Sequence, residues 1–196
     1  MVRIGVTGGI GSGKSTVCRV WEELGAEICQ ADVVAKELMV TDPEVVREIK
    51  EAFGDPAYAE DGSLNRDYLA REAFEKGRVE ELNAIVHPRV PAAVRRRIEE
   101  AEEKGASAFV YEAALLPGNR RPEFVDYLLM VRAPRKERVQ RVAERDGLET
   151  DQVEARIRTQ QAYEELEHLA DRVIRNDGTE QDLREQAEAL YREWVG

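Results

Sequence analysis

Cysteine and histidine are scarce, two of each in 196 residues. Cys18 and Cys29 stand far apart in the chain with no C-x-x-C pair. Neither a disulfide framework nor a thiolate zinc centre is expected, and both cysteines read as packing thiols of a reduced, cytoplasmic protein. Long apolar runs are also missing. Segments such as Ala108 to Val110 and Tyr127 to Val131 fall well short of the ~20 residues that a bilayer helix needs. Met1-Val2-Arg3 leads straight into a strand-like run, so no export signal is expected. Positive charge is in deficit, with 40 acidic against 29 basic residues and a net charge of −11. That balance excludes a nucleic-acid binder working through bulk charge, and any anionic ligand must find a local positive site. A chain of this length buries roughly 70% of its unfolded surface and needs no staple.

The apolar run Val2 to Thr7 is short, β-branched and stopped by Gly8-Gly9, which predicts a buried strand ending in a turn. From Lys14 the period changes: Val17, Val20, Trp21 and Leu24 mark one helix face, and Gly25 closes it. A short strand at Glu27 to Cys29 follows. Helical segments then run from Asp32 to about Lys104, with breaks at Asp42-Pro43, Gly54 to Gly62, Pro88 and Pro91. Strand character returns at Ser107 to Glu112 and Tyr127 to Arg132. Helices are expected at Arg135 to Arg145 and Thr150 to about Leu166, then a strand at Arg172 to Arg175 and a closing helix capped by Thr179. Alternating strands and helices predict an α/β fold with a parallel sheet of about five strands covered on both faces. The helical stretch between the second and third strands forms a separate lobe.

Between the first strand and first helix, Gly8, Gly13, Lys14 and Ser15 fit G-x-x-x-x-G-K-[ST] in the required strand-loop-helix setting. Glycines let backbone N–H groups close around an anion, and the helix dipole points at the same spot. The candidate phosphate-binding residues are Gly9, Gly11, Ser12, Gly13, Lys14, Ser15 and Thr16. Lys14 suits the β- and γ-phosphates, and the Ser15 hydroxyl suits a Mg²⁺ bridging them. Thr16 reads either as a phosphate contact or as an ordinary early helix residue.

Ligands of an open parallel sheet collect at the carboxyl ends of its strands, where Asp32, Glu112, Arg132 and Asn176 stand. Asp32 is placed to accept a proton from an acceptor hydroxyl, or else to cap the helix that follows. Arg138, Arg141 and Arg145 share one side of a helix. They read either as phosphate-seeking groups on a mobile lid or as a solvated face paired to Glu137 and Glu144. His87 and His168 read as packing or capping residues, and Arg95-Arg96-Arg97 as helix surface.

Taken together, the residues resemble the dephospho-CoA kinase family. The likeness runs through Val6 to Thr16, Ala31-Asp32, Leu64-Asn65-Arg66 with Leu69 and Phe74, and Leu82 to Pro88. It continues at Arg141, Arg145-Asp146, Arg156-Ile157 with Gln160, and Ala170-Asp171 through Asn176. The resemblance implies a P-loop kinase-type sheet formed by residues 1–31, 106–134 and 167–196, an acceptor lobe at 32–105 and a lid at 135–166. It implies transfer of the ATP γ-phosphate to the 3′-hydroxyl of dephospho-CoA with Mg²⁺, by a monomer or weak homo-oligomer. Asp32 falls on the family's base position, and Arg141 on its lid arginine. Asn176 falls on the loop where adenine lies, and Arg66 and His87 fall in the acceptor lobe.

The chain departs from the pattern at three places. Gln30 replaces an Asp, leaving Asp32 without a like-charged neighbour; Glu112 replaces an Asp; and Gly118 stands near an expected Glu. Another P-loop small-molecule kinase, for a nucleoside monophosphate or a sugar, and a nucleotide-hydrolysing switch are the alternatives. The lobe's Leu64-Asn65-Arg66 and His87-Pro88 distinguish the family from nucleotide and sugar kinases, and the absence of a switch-type motif argues against the switch.

Overall fold

The computed structural model describes the chain apart from residues 115, 117–119 and 159–165 and the side chain of residue 74. The expected strands form one parallel sheet of β1 (Val2–Thr7), β2 (Glu27–Gln30), β3 (Ala108–Glu112), β4 (Tyr127–Arg132) and β5 (Arg172–Arg175), in the order β2-β3-β1-β4-β5. The chain leaves β1 toward β2 and leaves β4 toward β5, in opposite directions across the sheet. The crevice at the carboxyl ends of β1 and β4 is therefore the place where such a sheet receives ligand.

Helix α1 (Lys14–Glu23) carries the expected stripe, with Val17, Val20 and Trp21 buried against Ile4, Val6 and Val110. Leu24 departs from it: it is the C-cap residue and stays 38% exposed, because the helix has already ended. A later helix, Glu180–Val195, described below as α9, adds Leu183, Ala187 and Leu190 to this core. Trp21 Nε1 donates to Ala187 O at 2.8 Å, so its one polar atom is satisfied inside the apolar layer. Thr179 caps α9 as expected. Its hydroxyl accepts from Asp182 N while Asp182 Oδ2 accepts from Thr179 N at 2.8 Å.

Two units divide the chain: residues Met1–Gln30 with Ile98–Gly196, and residues Ala31–Arg97. The second holds α2 (Ala31–Thr41), α3 (Pro43–Phe53), α4 (Arg66–Ala70) and α5 (Val79–Val86). Asp42 stops α2 and starts α3, its Oδ1 accepting from Glu44 N and Val45 N with Pro43 at the first helical position. A π-helical turn at Arg71–Glu75 follows α4, and a 3₁₀ turn at His87–Arg89 follows α5. Contrary to expectation, Pro91 does not break the helical run. It sits in the first turn of α6 (Val90–Glu103), where an N–H is not needed. The second unit closes at Arg97, within α6.

After β4 come α7 (Arg135–Asp146) and α8 (Thr150–Arg158), and then α9 beyond β5. Residues 159–165 of the expected second helix, Gln160 among them, lie outside the described residues, and Leu166 is buried in a 3₁₀ turn. Val142, Val153 and Ile157 form a small apolar cluster of their own, with Ile10, Val139, Ala143 and Leu148 packed against it.

Candidate active site

The turn from β1 to α1 is built so that only glycine fits at its key positions. Gly13, the N-cap of α1, has φ 105°, and a Cβ there would lie 2.4 Å from Asn176 Nδ2. At Gly11, with φ 76°, a Cβ would lie 2.7 Å from Arg138 O. The loop is thus pressed between α7 and the β5–α9 connection, which leaves its open side to a ligand. Ser12 N donates to Gly9 O and Thr16 N to Gly13 O, both at 3.1 Å, fixing the curl. Lys14 is buried, its Nζ donating to Gly8 O at 2.8 Å and lying 3.4 Å from Gly9 O. The ammonium is therefore held over the loop. Ser15 is exposed on the first turn of α1, and Thr16 is half-buried.

Glu112 ends β3 in register with Gln30 of β2 and Val6 of β1, so two of the three sequence departures are neighbours in the sheet. Burial pushes the Cys18 thiol of α1 far up; the negative charge of Glu112 raises it further, and the positive charge of Lys14 opposes. Both charges therefore reach the same stretch of α1. Ser15 and Glu112 offer hard oxygen donors of the kind that suits Mg²⁺, which takes one or two protein oxygens and completes its shell with water and phosphate. Gly118 and its neighbours lie outside the described residues.

Asn176 is buried. Its Nδ2 donates to Ser12 O at 2.8 Å and its backbone N donates to Arg132 O at 2.7 Å, so its side chain braces the loop from behind. Beside it opens a cleft of about 170 Å³ lined by Arg132, Ala133, Pro134, Arg175 and Asp177, at the carboxyl ends of β4 and β5. Arg141 on α7 is half-buried, its Nη2 donating to Glu137 Oε2 at 2.8 Å with Asn176 O at 3.5 Å. Arg145 pairs with Asp146 at 2.7 Å.

Arg138 does not belong to a solvated face. It is 1% exposed and its Nε donates to Ile10 O at 2.9 Å. Reading the three arginines as equivalent missed this residue. The signal was present: Arg138 stands one turn before Val142 and beside Val139, on the apolar side of α7.

The structure thus brings Gly9, Gly11, Ser12, Gly13, Lys14, Ser15, Thr16, Arg141 and Asn176 together in the first unit. In the second unit, Asp32 is exposed in the first turn of α2, and α2 begins one residue earlier, at Ala31. Arg66 is exposed as the first residue of α4, behind the Asn65 cap whose Oδ1 accepts from Tyr68 N. His87 is exposed in the 3₁₀ turn, and His168 is exposed as well, which removes the packing half of the packing-or-capping reading. Arg95 and Arg96 are surface residues of α6, while Arg97 is half-buried and paired to Glu37.

A solved structure from Thermus thermophilus has a TM-score of 0.77 at 35% identity, covering 100% of this chain and 98% of that one. The dephospho-CoA kinase from Campylobacter jejuni shares the fold at a TM-score of 0.66 and 22% identity, covering 98% and 97%. The sheet order, the glycine loop and Lys14 on α1 define a P-loop nucleotide-binding protein. A family model described as dephospho-CoA kinase matches residues 2–182. The dephospho-CoA kinase of Salinibacter ruber is 49% identical over 192 residues, 97% of this chain and 96% of its own length. The chain belongs to the dephospho-CoA kinase family.

Proposed function

We propose that the protein transfers the γ-phosphate of ATP to the 3′-hydroxyl of dephospho-CoA, giving coenzyme A and ADP. The observation that carries this is the extent of the family likeness, which includes the second unit as well as the phosphate loop. In this reading residues 32–105 form the acceptor lobe, residues 135–166 the lid, and Arg66 and His87 contact the acceptor. The enzyme is cytoplasmic and acts as a monomer or weak homo-oligomer. Among the described residues no helix is long and apolar enough to cross a membrane.

The loop N–H groups from Gly9 to Thr16 wrap the phosphates, and the α1 N-terminus adds its dipole. Lys14 exchanges the Gly8 carbonyl for phosphate oxygen and neutralises charge that builds on the transferring group. Ser15 would hold Mg²⁺, with the Glu112 carboxylate reaching it only through water, and the ion when bound would offset charge on the β- and γ-phosphates. Arg141, paired to Glu137 at 2.8 Å and only weakly to the Asn176 carbonyl at 3.5 Å, turns to pair with phosphate. Adenine occupies the cleft between Arg132 and Arg175, with Asn176 fixing the loop beside it. Asp32 orients the 3′-hydroxyl and takes its proton.

The test is Mg²⁺-dependent ADP release from ATP across dephospho-CoA, nucleoside monophosphates, simple sugars and water alone. Turnover confined to dephospho-CoA, with a 3′-phosphorylated product, is expected. Equal release with and without every acceptor would overturn the assignment in favour of a hydrolase.

A further inference from the structure

The phosphate loop is joined to α7 and α8 by three separate contacts. Arg138 Nε holds the Ile10 carbonyl at 2.9 Å from a side chain that is 1% exposed. The Gly11 position is so close to α7 that a Cβ would meet Arg138 O at 2.7 Å and Val142 Cγ2 at 2.9 Å. The Ile10 side chain packs into the Val142, Val153 and Ile157 cluster. The tip of the loop is therefore part of the α7–α8 packing, not a free turn above the sheet.

We propose that Arg138 is a positioning residue that sets the curvature of the phosphate loop through the Ile10 carbonyl. Together with the Ile10 side chain it makes the loop and the α7–α8 hairpin one mechanical piece. A guanidinium suits the task because its charge and direction are permanent, and because a charged donor on a backbone carbonyl is stronger than a neutral one. Phosphates that straighten or tighten the loop then act directly on α7 and on Arg141, one turn further along the same helix. This inference rests on the reading that the loop takes nucleotide phosphates, and it does not depend on the identity of the acceptor.

The experiment uses the full chain and ATP with Mg²⁺, titrated directly without acceptor, alongside steady-state kinetics. Arg138→Lys keeps the charge but not the Nε–H direction. ATP affinity is expected to fall at least tenfold while the KM for dephospho-CoA stays within twofold. A role in packing alone would instead lower the melting temperature and the active fraction with both constants unchanged, and ATP affinity within twofold of the parent overturns the proposal. Should Arg138→Lys fail to fold, Ile10→Ala decides. ATP is expected to slow amide exchange in residues 135–158 of the parent protein and to lose that effect in Ile10→Ala. Equal slowing in both proteins, or none in the parent, refutes the coupling. Loss of ATP affinity in Arg138→Lys without turnover of dephospho-CoA by the parent would remove the acceptor assignment and leave this inference standing.

Discussion

Gly13→Ala is expected to destabilise the protein through backbone strain and through its nearest neighbour, Asn176, with Leu183 Cδ2 next at 3.0 Å. The substitution places a Cβ 2.4 Å from Asn176 Nδ2 at a residue whose φ is 105° and ψ 13°. Backbone strain of that kind costs about 1–3 kcal/mol. Asn176 must also retreat by roughly an ångström to reach ordinary contact, which breaks its 2.8 Å bond to the buried Ser12 carbonyl. An unsatisfied buried acceptor costs about 1–3 kcal/mol. The sum is about 2–6 kcal/mol, and each kcal/mol lowers the melting temperature by about 2–4 °C in a chain of this size. Scanning calorimetry on Gly13→Ala, Asn176→Ala and the double variant separates the two contributions. Because the Ser12 bond can be lost only once, the double variant should lose about 1–3 kcal/mol less than the two single losses added together. Losses that add within about 0.5 kcal/mol would show that the strain does not pass through Asn176.

Lys14→Ala and Asp32→Asn are each expected to lower kcat more than tenfold, with ATP affinity retained in Asp32→Asn. Normal turnover of Asp32→Asn at saturating ATP would remove Asp32 as the base. Arg3 holds the Asp126 carboxylate below the ordinary range, and Thr179 does the same for Asp182. Both groups therefore contribute stability above the unfolded carboxylate pKa, near about 4, and lose it as pH falls through their lower folded values. Asp126→Asn should flatten the acid limb of a stability–pH curve, and an unchanged limb would remove the pair from the account. Cys18 and Cys29 are 3% and 2% exposed, and burial raises the Cys18 thiol far up. Neither should react with a thiol reagent at pH 8 until the protein unfolds; rapid native labelling would contradict the packing.

The first unit was legible because its signals are local. The change from strand to helical period at Lys14, the glycine pattern and the uninterrupted run Leu128 to Val131, all fully buried, each state their own structure. The Thr179 cap and the Asp42-Pro43 boundary were legible for the same reason. The burial of Arg138 could be read from its place beside Val139 and one turn before Val142, but its partner could not: that is the Ile10 carbonyl, 128 residues earlier, and a backbone oxygen leaves no mark in a sequence. Pro91 misled because proline stops a helix and also starts one, and only the cap geometry tells the two apart. The nearness of Gln30 and Glu112 needed the strand register. In the sequence they are two unrelated departures, whereas in the sheet they occupy one edge of the same crevice.

Both tryptophans of the chain, Trp21 and Trp194, lie in the first unit, with ring centroids 6.3 Å apart and Tyr127 stacked on Trp194 at 4.9 Å. Residues Ala31–Arg97 contain none, yet they are largely helical. Tryptophan emission therefore reports the first unit alone, while far-ultraviolet dichroism sums both units. In a urea titration, a gap between the two optical midpoints measures how far the second unit unfolds independently. Closing of that gap on adding dephospho-CoA would reveal which unit the acceptor stabilises, with no label attached to the protein.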